Sequence, residues 1–141
     1  MPQWKFPYDR DGVPSLDMRV QTRRGSQIEL SGTVDSGASS TVLSLEHADE
    51  LGFAPTDLRT DSEAVIADGS KVRCWTTSTP IRAQVLRPSP DGELHPWGPV
   101  FAVRPVFLEH ASPLWGQADF FAVFGVMFWR NIAPPQFELS Y

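Results

Sequence analysis

Apolar and polar positions alternate along much of this chain, the period of a strand and not of a helix. Asp17-Met18-Arg19-Val20-Gln21 alternates, and so does Gln27-Ile28-Glu29-Leu30. Between them lies Thr22-Arg23-Arg24-Gly25-Ser26, a turn with a glycine free to take positive φ, so a β-hairpin is predicted. Its second strand continues with Leu30, Gly32 and Val34 on one face and runs straight into Asp35-Ser36-Gly37. A second apolar run, Thr41-Val42-Leu43, follows at once. Ser44 is placed to cap a short helix carrying Leu45, Ala48 and Leu51, and Gly52 is a suitable stop. Residues 53–62 read as a loop. Residues 63–67 and 70–75 flank Asp68-Gly69, a strong signal for a tight hairpin turn. Residues 79–85 alternate and predict a strand. Residues 88–99, rich in proline with Asp91-Gly92 and Gly98, predict a long turn or loop. Residues 100–103 and 106–108 form the next strand, interrupted at Pro105. Residues 126–129 and 136–141 predict two more, the last with Phe137, Leu139 and Tyr141 on one face.

Residues 1–16 show no clear period. They are expected to form an N-terminal arm on a domain spanning residues 17–141, with Phe6-Pro7-Tyr8 covering a sheet edge or reaching a partner subunit. The expected class is therefore all-β, a single domain with one or two short helices. At 141 residues the chain is long enough for one real core. Its 13 prolines also favour an irregular β fold over a helical bundle.

Charge narrows the range of partners. A net charge of −5 with no basic cluster argues against nucleic acid or an anionic membrane surface. No stretch approaches the roughly 20 apolar residues of a membrane span. The first residues lack the apolar run of a secretion signal. A single cysteine, Cys74, excludes a disulfide within the chain and fits a reducing, cytoplasmic compartment.

Candidate chemistry concentrates at Asp35. A carboxyl between two apolar runs is costly to bury unless it is paired or hydrogen-bonded. Its place beside a small hydroxyl residue and a glycine therefore points to use rather than packing. The other Asp-Gly pairs, Asp11-Gly12, Asp68-Gly69 and Asp91-Gly92, lack the intervening hydroxyl and read as ordinary turns. His47, His95 and His110 share no spacing suited to a metal, so no metal or cofactor is expected. Cys74 has no histidine in a recognisable context and reads as a half-buried strand residue. Ser39 and Ser40 lack a nucleophile-elbow pattern, and Gly69-Ser70-Lys71 lacks the glycine-rich lead of a phosphate loop. Trp97, Trp115 and Trp129 read as core or dimer-surface aromatics.

Val34-Asp35-Ser36-Gly37-Ala38, followed by Thr41-Val42-Leu43-Ser44 and the helical Ala48-Asp49-Glu50-Leu51-Gly52-Phe53, resembles the retropepsin-like (retroviral-type) aspartic proteases, in a bacterial-looking form. The resemblance implies an acid-protease β-barrel active as a homodimer. Asp35 of each chain would supply one carboxyl of a catalytic dyad acting on an extended polypeptide. Ser36 would bond across the two-fold axis, Gly37 would present its N–H to the carboxylates, and Ala38 would keep the turn small. Ile66, Ala67, Asp68, Gly69 and Ser70 fall where the family places its substrate-covering flap, although that flap is often richer in glycine. Leu114-Trp115-Gly116, ahead of Phe120-Phe121, resembles the family's apolar-apolar-Gly signature. Val123-Phe124-Gly125 is a second candidate for it. Two departures stand out: Trp115 is bulky for the middle of that signature, and Ser39 stands where many relatives carry an acid. Both leave open an alternative, a dimeric module of the same fold that binds peptide or ligand without hydrolysis.

Overall fold

A computed structural model describes residues 1–141 with the exception of the Asp61 side chain. Among the described residues, twelve strands form a nine-stranded and a three-stranded sheet, joined by two short α-helices. Strands β2 (Ser15–Gln21) and β3 (Gln27–Val34) make the predicted hairpin, with Met18 opposite Leu30 and Val20 opposite Ile28. Met18, Val20, Leu30 and Val34 are buried while intervening residues are less so, which is what the alternation specifies.

After β3 the chain turns through Asp35 and enters β4 (Val42–Ser44), then helix α1 (Leu45–Glu50). Ser44 Oγ accepts the Glu46 N–H at 3.3 Å, the expected N-cap, and Gly52 takes φ +87° beyond the helix end. A 3-10 turn at Pro55–Asp57 leads to β5 (Arg59–Val65), which pairs with β6 (Lys71–Thr76). Cys74 on β6 is fully buried, not half-buried as the sequence led us to expect.

The expected loop at residues 88–99 is mostly strand. β7 (Ile81–Pro88) and β8 (Leu94–Val103) pair across a short turn, with Leu86 opposite Pro96 and Pro88 opposite Leu94. β8 is the last strand of the nine-stranded sheet, and an edge strand tolerates proline because half of its N–H groups face outward. The register slips between Ala83 and Val85, where Gln84 Nε2 donates to the Gly98 carbonyl at 2.8 Å. Pro105 separates β8 from β9 (Val106–Leu108), as expected.

The order of the large sheet is β5-β6-β9-β4-β10-β3-β2-β7-β8. Strand β10 (Leu114–Trp115) is inserted between β3, parallel to it, and β4, antiparallel to it. Helix α2 (Phe120–Val123) follows, and then β11 (Gly125–Trp129) and β12 (Gln136–Ser140). β12 is the centre of the small sheet, flanked by β11 and by β1 (Gln3–Pro7).

The small sheet packs through aromatic rings. Phe137 is fully buried, stacked on Phe6 at 5.4 Å between ring centroids and edge-on to Tyr8 at 6.0 Å. Phe124 joins Trp97, Phe101, Phe120 and Tyr141 in a second cluster that ties α2 to the β7–β8 hairpin. Phe137→Ala should destabilise the chain by about 3–5 kcal/mol, measured by urea unfolding; a loss below about 1 kcal/mol would show that the two sheets do not share this core.

Candidate active site

The turn after β3 crosses over the end of β10. The chain leaves β3 on one side of β10 and enters β4 on the other, so residues 35–41 must pass close above residues 115–118. Hydrogen bonds fix the passage. The Asp35 N–H donates to the Trp115 carbonyl at 3.1 Å, Gln117 N–H to Ala38 at 2.9 Å and Ala118 N–H to Ser39 at 3.0 Å. Gln117 Nε2 donates to the Ser36 carbonyl at 2.8 Å. Beneath them the Gly116 N–H donates to Thr41 Oγ1 at 3.2 Å, and Thr41 is fully buried.

Gly116 has no room for any side chain. A Cβ there would lie 2.3 Å from the Ser40 carbonyl oxygen and 2.9 Å from that of Ala38, both backbone. Trp115, bulky as it is, fits by pressing on Gly32, where a Cβ would meet its ring at 2.9 Å. Its indole Nε1–H donates to the Leu16 carbonyl at 3.0 Å. Gly125, in the second candidate signature, lies instead at the start of β11 opposite Ser140.

Asp35 is half-buried, with Ser36 and Gly37 exposed beside it. Its Oδ1 accepts the Gly37 N–H at 2.9 Å, and the Ala38 N–H donates to its carbonyl at 3.2 Å. A Cβ on Gly37 would sit 3.2 Å from that same Oδ1. Gly37 is thus small for the sake of the carboxylate. At Gly12, Gly69 and Gly92, the other Asp-Gly turns, the glycines take positive φ of 76°, 84° and 84°, the ordinary reason for glycine in a turn. Asp35 is held in place, partly open to solvent, with one oxygen engaged by its own turn.

The hairpin tip at residues 66–70 stands out from the sheet. Ile66 N–H donates to the Ser70 carbonyl at 3.0 Å and Gly69 N–H to the Ile66 carbonyl at 2.9 Å. Asp68 Oδ1 accepts both the Ser70 N–H (2.8 Å) and the Ser70 hydroxyl (2.6 Å), which hold its carboxyl below the usual range. Val65 and Ile66 are exposed apolar residues at the tip. These bonds run among the tip's own residues, whereas the Asp35 turn and residues 114–118 are bonded to each other.

The sequence did not single out Thr41, Gln117 or Asp119. Asp119 precedes α2 but makes no cap bond to that helix. Its carboxyl instead faces the hydroxyl and backbone N–H of Thr41 and the backbone N–H of Arg104; burial outweighs these and raises its pKa. One carboxyl oxygen, Oδ2, is buried without a hydrogen-bond partner. An acid set among Ala118, Phe120 and Phe121 was the available signal. Among the described residues, Asp91, Glu93 and His95 bring ligand atoms within 4.8 Å of one another, but all three are exposed at the β7–β8 turn, away from the Asp35 crossing in sheet order.

Residues 20–85, which contain Asp35 and the hairpin tip, match the sequence profile of the aspartyl protease family. The whole chain is similar to the crystal structure of a retropepsin-like aspartic protease from Rickettsia conorii, with 17% identity, 99% of each chain covered and a TM-score of 0.60. The chain has a retropepsin-like fold. The match to the aspartyl protease family covers the motif-bearing segment, and the shared fold extends across the remainder. No curated protein matches the sequence. Among the described residues, no helix of this retropepsin-like chain is long and apolar enough to cross a membrane.

Gly116→Ala should cost about 3 kcal/mol or more, because backbone and not a pliable side chain stands in the way. Gly69→Ala, where nothing lies within 4 Å, should cost only the strain of its positive φ. Urea unfolding of the two variants checks the contrast, and equal losses would contradict it.

Proposed function

We propose that this chain is a homodimeric aspartic endopeptidase, in which Asp35 of each copy supplies one carboxyl. The observation that carries the reading is the Asp35 turn, a half-exposed acid held rigidly at a strand crossing. Peptide hydrolysis of this type needs two carboxyls about 3 Å apart that share one proton, as aspartic proteases use them. One accepts a proton from water as its oxygen attacks the peptide carbonyl, and the other gives a proton towards that carbonyl oxygen. The C–N bond of the tetrahedral intermediate then breaks as the amine nitrogen takes the proton that the first carboxyl received from water. A hydroxyl of the intermediate returns its proton to the second carboxyl as the acid product forms. This chain offers one acid in the required setting, so a second copy about a two-fold axis supplies the other.

Ser36, exposed at the turn, is suited to bond across that axis, and Ala38 keeps the turn close to residue 117. The hairpin tip, residues 66–70, serves as the flap, with Val65 and Ile66 offering apolar cover to an extended substrate. Leu114, Trp115 and Gly116, the core signature, support the turn that carries the acid, and Asp35 of the two copies would be the floor. An extended polypeptide would be recognised by main-chain bonding, with side-chain pockets setting preference. The buried thiol of Cys74, the sole cysteine, suits a cytoplasmic location.

Asp35→Asn should lower cleavage of an unstructured protein by at least about 100-fold between roughly pH 4 and pH 7. Specific activity should also fall on dilution, in step with dimer loss measured by sedimentation. Unchanged cleavage by the variant would reject Asp35 as the catalytic group. A transition-state mimic that stabilises the protein no more than a plain peptide would favour the non-hydrolytic module.

A further inference from the structure

The acid that the dyad leaves unused is Asp119. Its position before α2 is one where aspartate ordinarily caps its own helix, yet it makes no such bond. Its carboxyl turns to Thr41, a fully buried residue that closes the Asp35 turn just before β4. Thr41 is the hub of that passage. Its hydroxyl oxygen accepts the Gly116 N–H at 3.2 Å, and its carbonyl accepts the Val106 N–H at 2.9 Å. A hydroxyl has one proton to donate. With Gly116 donating to the oxygen, that proton is free for the Asp119 carboxyl.

We propose that Asp119 is a positioning residue for Asp35: it orients the Thr41 hydroxyl, which holds Gly116, and so fixes where residues 38–41 cross β10. The role in catalysis rests on the protease reading above; the structural role does not.

A pH dependence follows. Burial favours the uncharged form of Asp119, and Oδ2 has no donor to support a full negative charge. Arg104 is the charged group that acts on this carboxyl, and it works in the opposite sense without overcoming burial. The folded chain therefore keeps this proton to a higher pH than the unfolded chain does. The stabilisation is complete below the unfolded carboxyl pKa and is lost as pH rises through the raised folded value. Asparagine keeps an acceptor for Thr41 and removes the charge.

The test compares wild type with Asp119→Asn and Asp119→Ala, each confirmed folded by circular dichroism. Amide hydrogen exchange of residues 36–44 is followed against that of β12 from about pH 4 to pH 7, corrected for intrinsic exchange. In wild type the protection of residues 36–44 should fall relative to β12 as pH rises, and Asp119→Asn should flatten that response. Asp119→Ala should lose protection at every pH. For cleavage, Asp119→Ala should lower kcat by about tenfold or more with little change in KM. Asp119→Asn should recover most of that loss and extend activity to higher pH. Exchange that follows these expectations without any cleavage by wild type would uphold the positioning role and defeat the protease reading. Wild-type cleavage with exchange and pH profiles identical in all three proteins would overturn the role of Asp119.

Discussion

Two backbone segments meet at Gly116 with no space between them. Residues 38–41 pass over the end of β10, and a single Cβ at position 116 would come within 2.3 Å of the Ser40 carbonyl oxygen. The sheet order makes this contact necessary, because β3 and β4 flank the strand that their connection must cross. The hydrogen bonds from Asp35, Gln117 and Ala118 all exist because the two segments are this close. The site is therefore built by topology first and by side chains second.

That construction explains why a carboxyl can be kept here. Asp35 is not buried in the apolar core between β3 and β4. It stands at the top of the crossing, half-exposed, with the Gly37 N–H on one oxygen. A site made in this way is rigid, since both flanking strands are paired over their length, but a single chain supplies one acid only. Under the dyad proposed above, an acid placed in this way would need a close counterpart, and that is the argument for a symmetric partner.

Much of this was legible in the sequence, and the parts that were not share a cause. The β2–β3 and β5–β6 hairpins, the Ser44 cap and the Asp35 turn are local, and residues near in sequence specify them. The insertion of β10 between β3 and β4 joins residue 115 to residues 34 and 35, and no periodicity reports such a pairing. Thr41 and Asp119 escaped for the same reason, because their importance lies in meeting each other across the crossing. Trp115 looked too large until the structure placed its ring on Gly32. Pro96 argued for a loop because proline removes a strand donor, but β8 is an edge strand, where proline is tolerated. Gln3–Pro7 lacked a period, and their pairing with β12 joins opposite ends of the chain.

The decisive measurement is a crystal structure of the assembled protein with attention to its two Asp35 side chains. The account predicts a two-fold axis between them and carboxyl oxygens about 3 Å apart, within reach of one shared proton. An assembly that holds the two carboxyls beyond about 10 Å of each other, too far to share even one water, would contradict it.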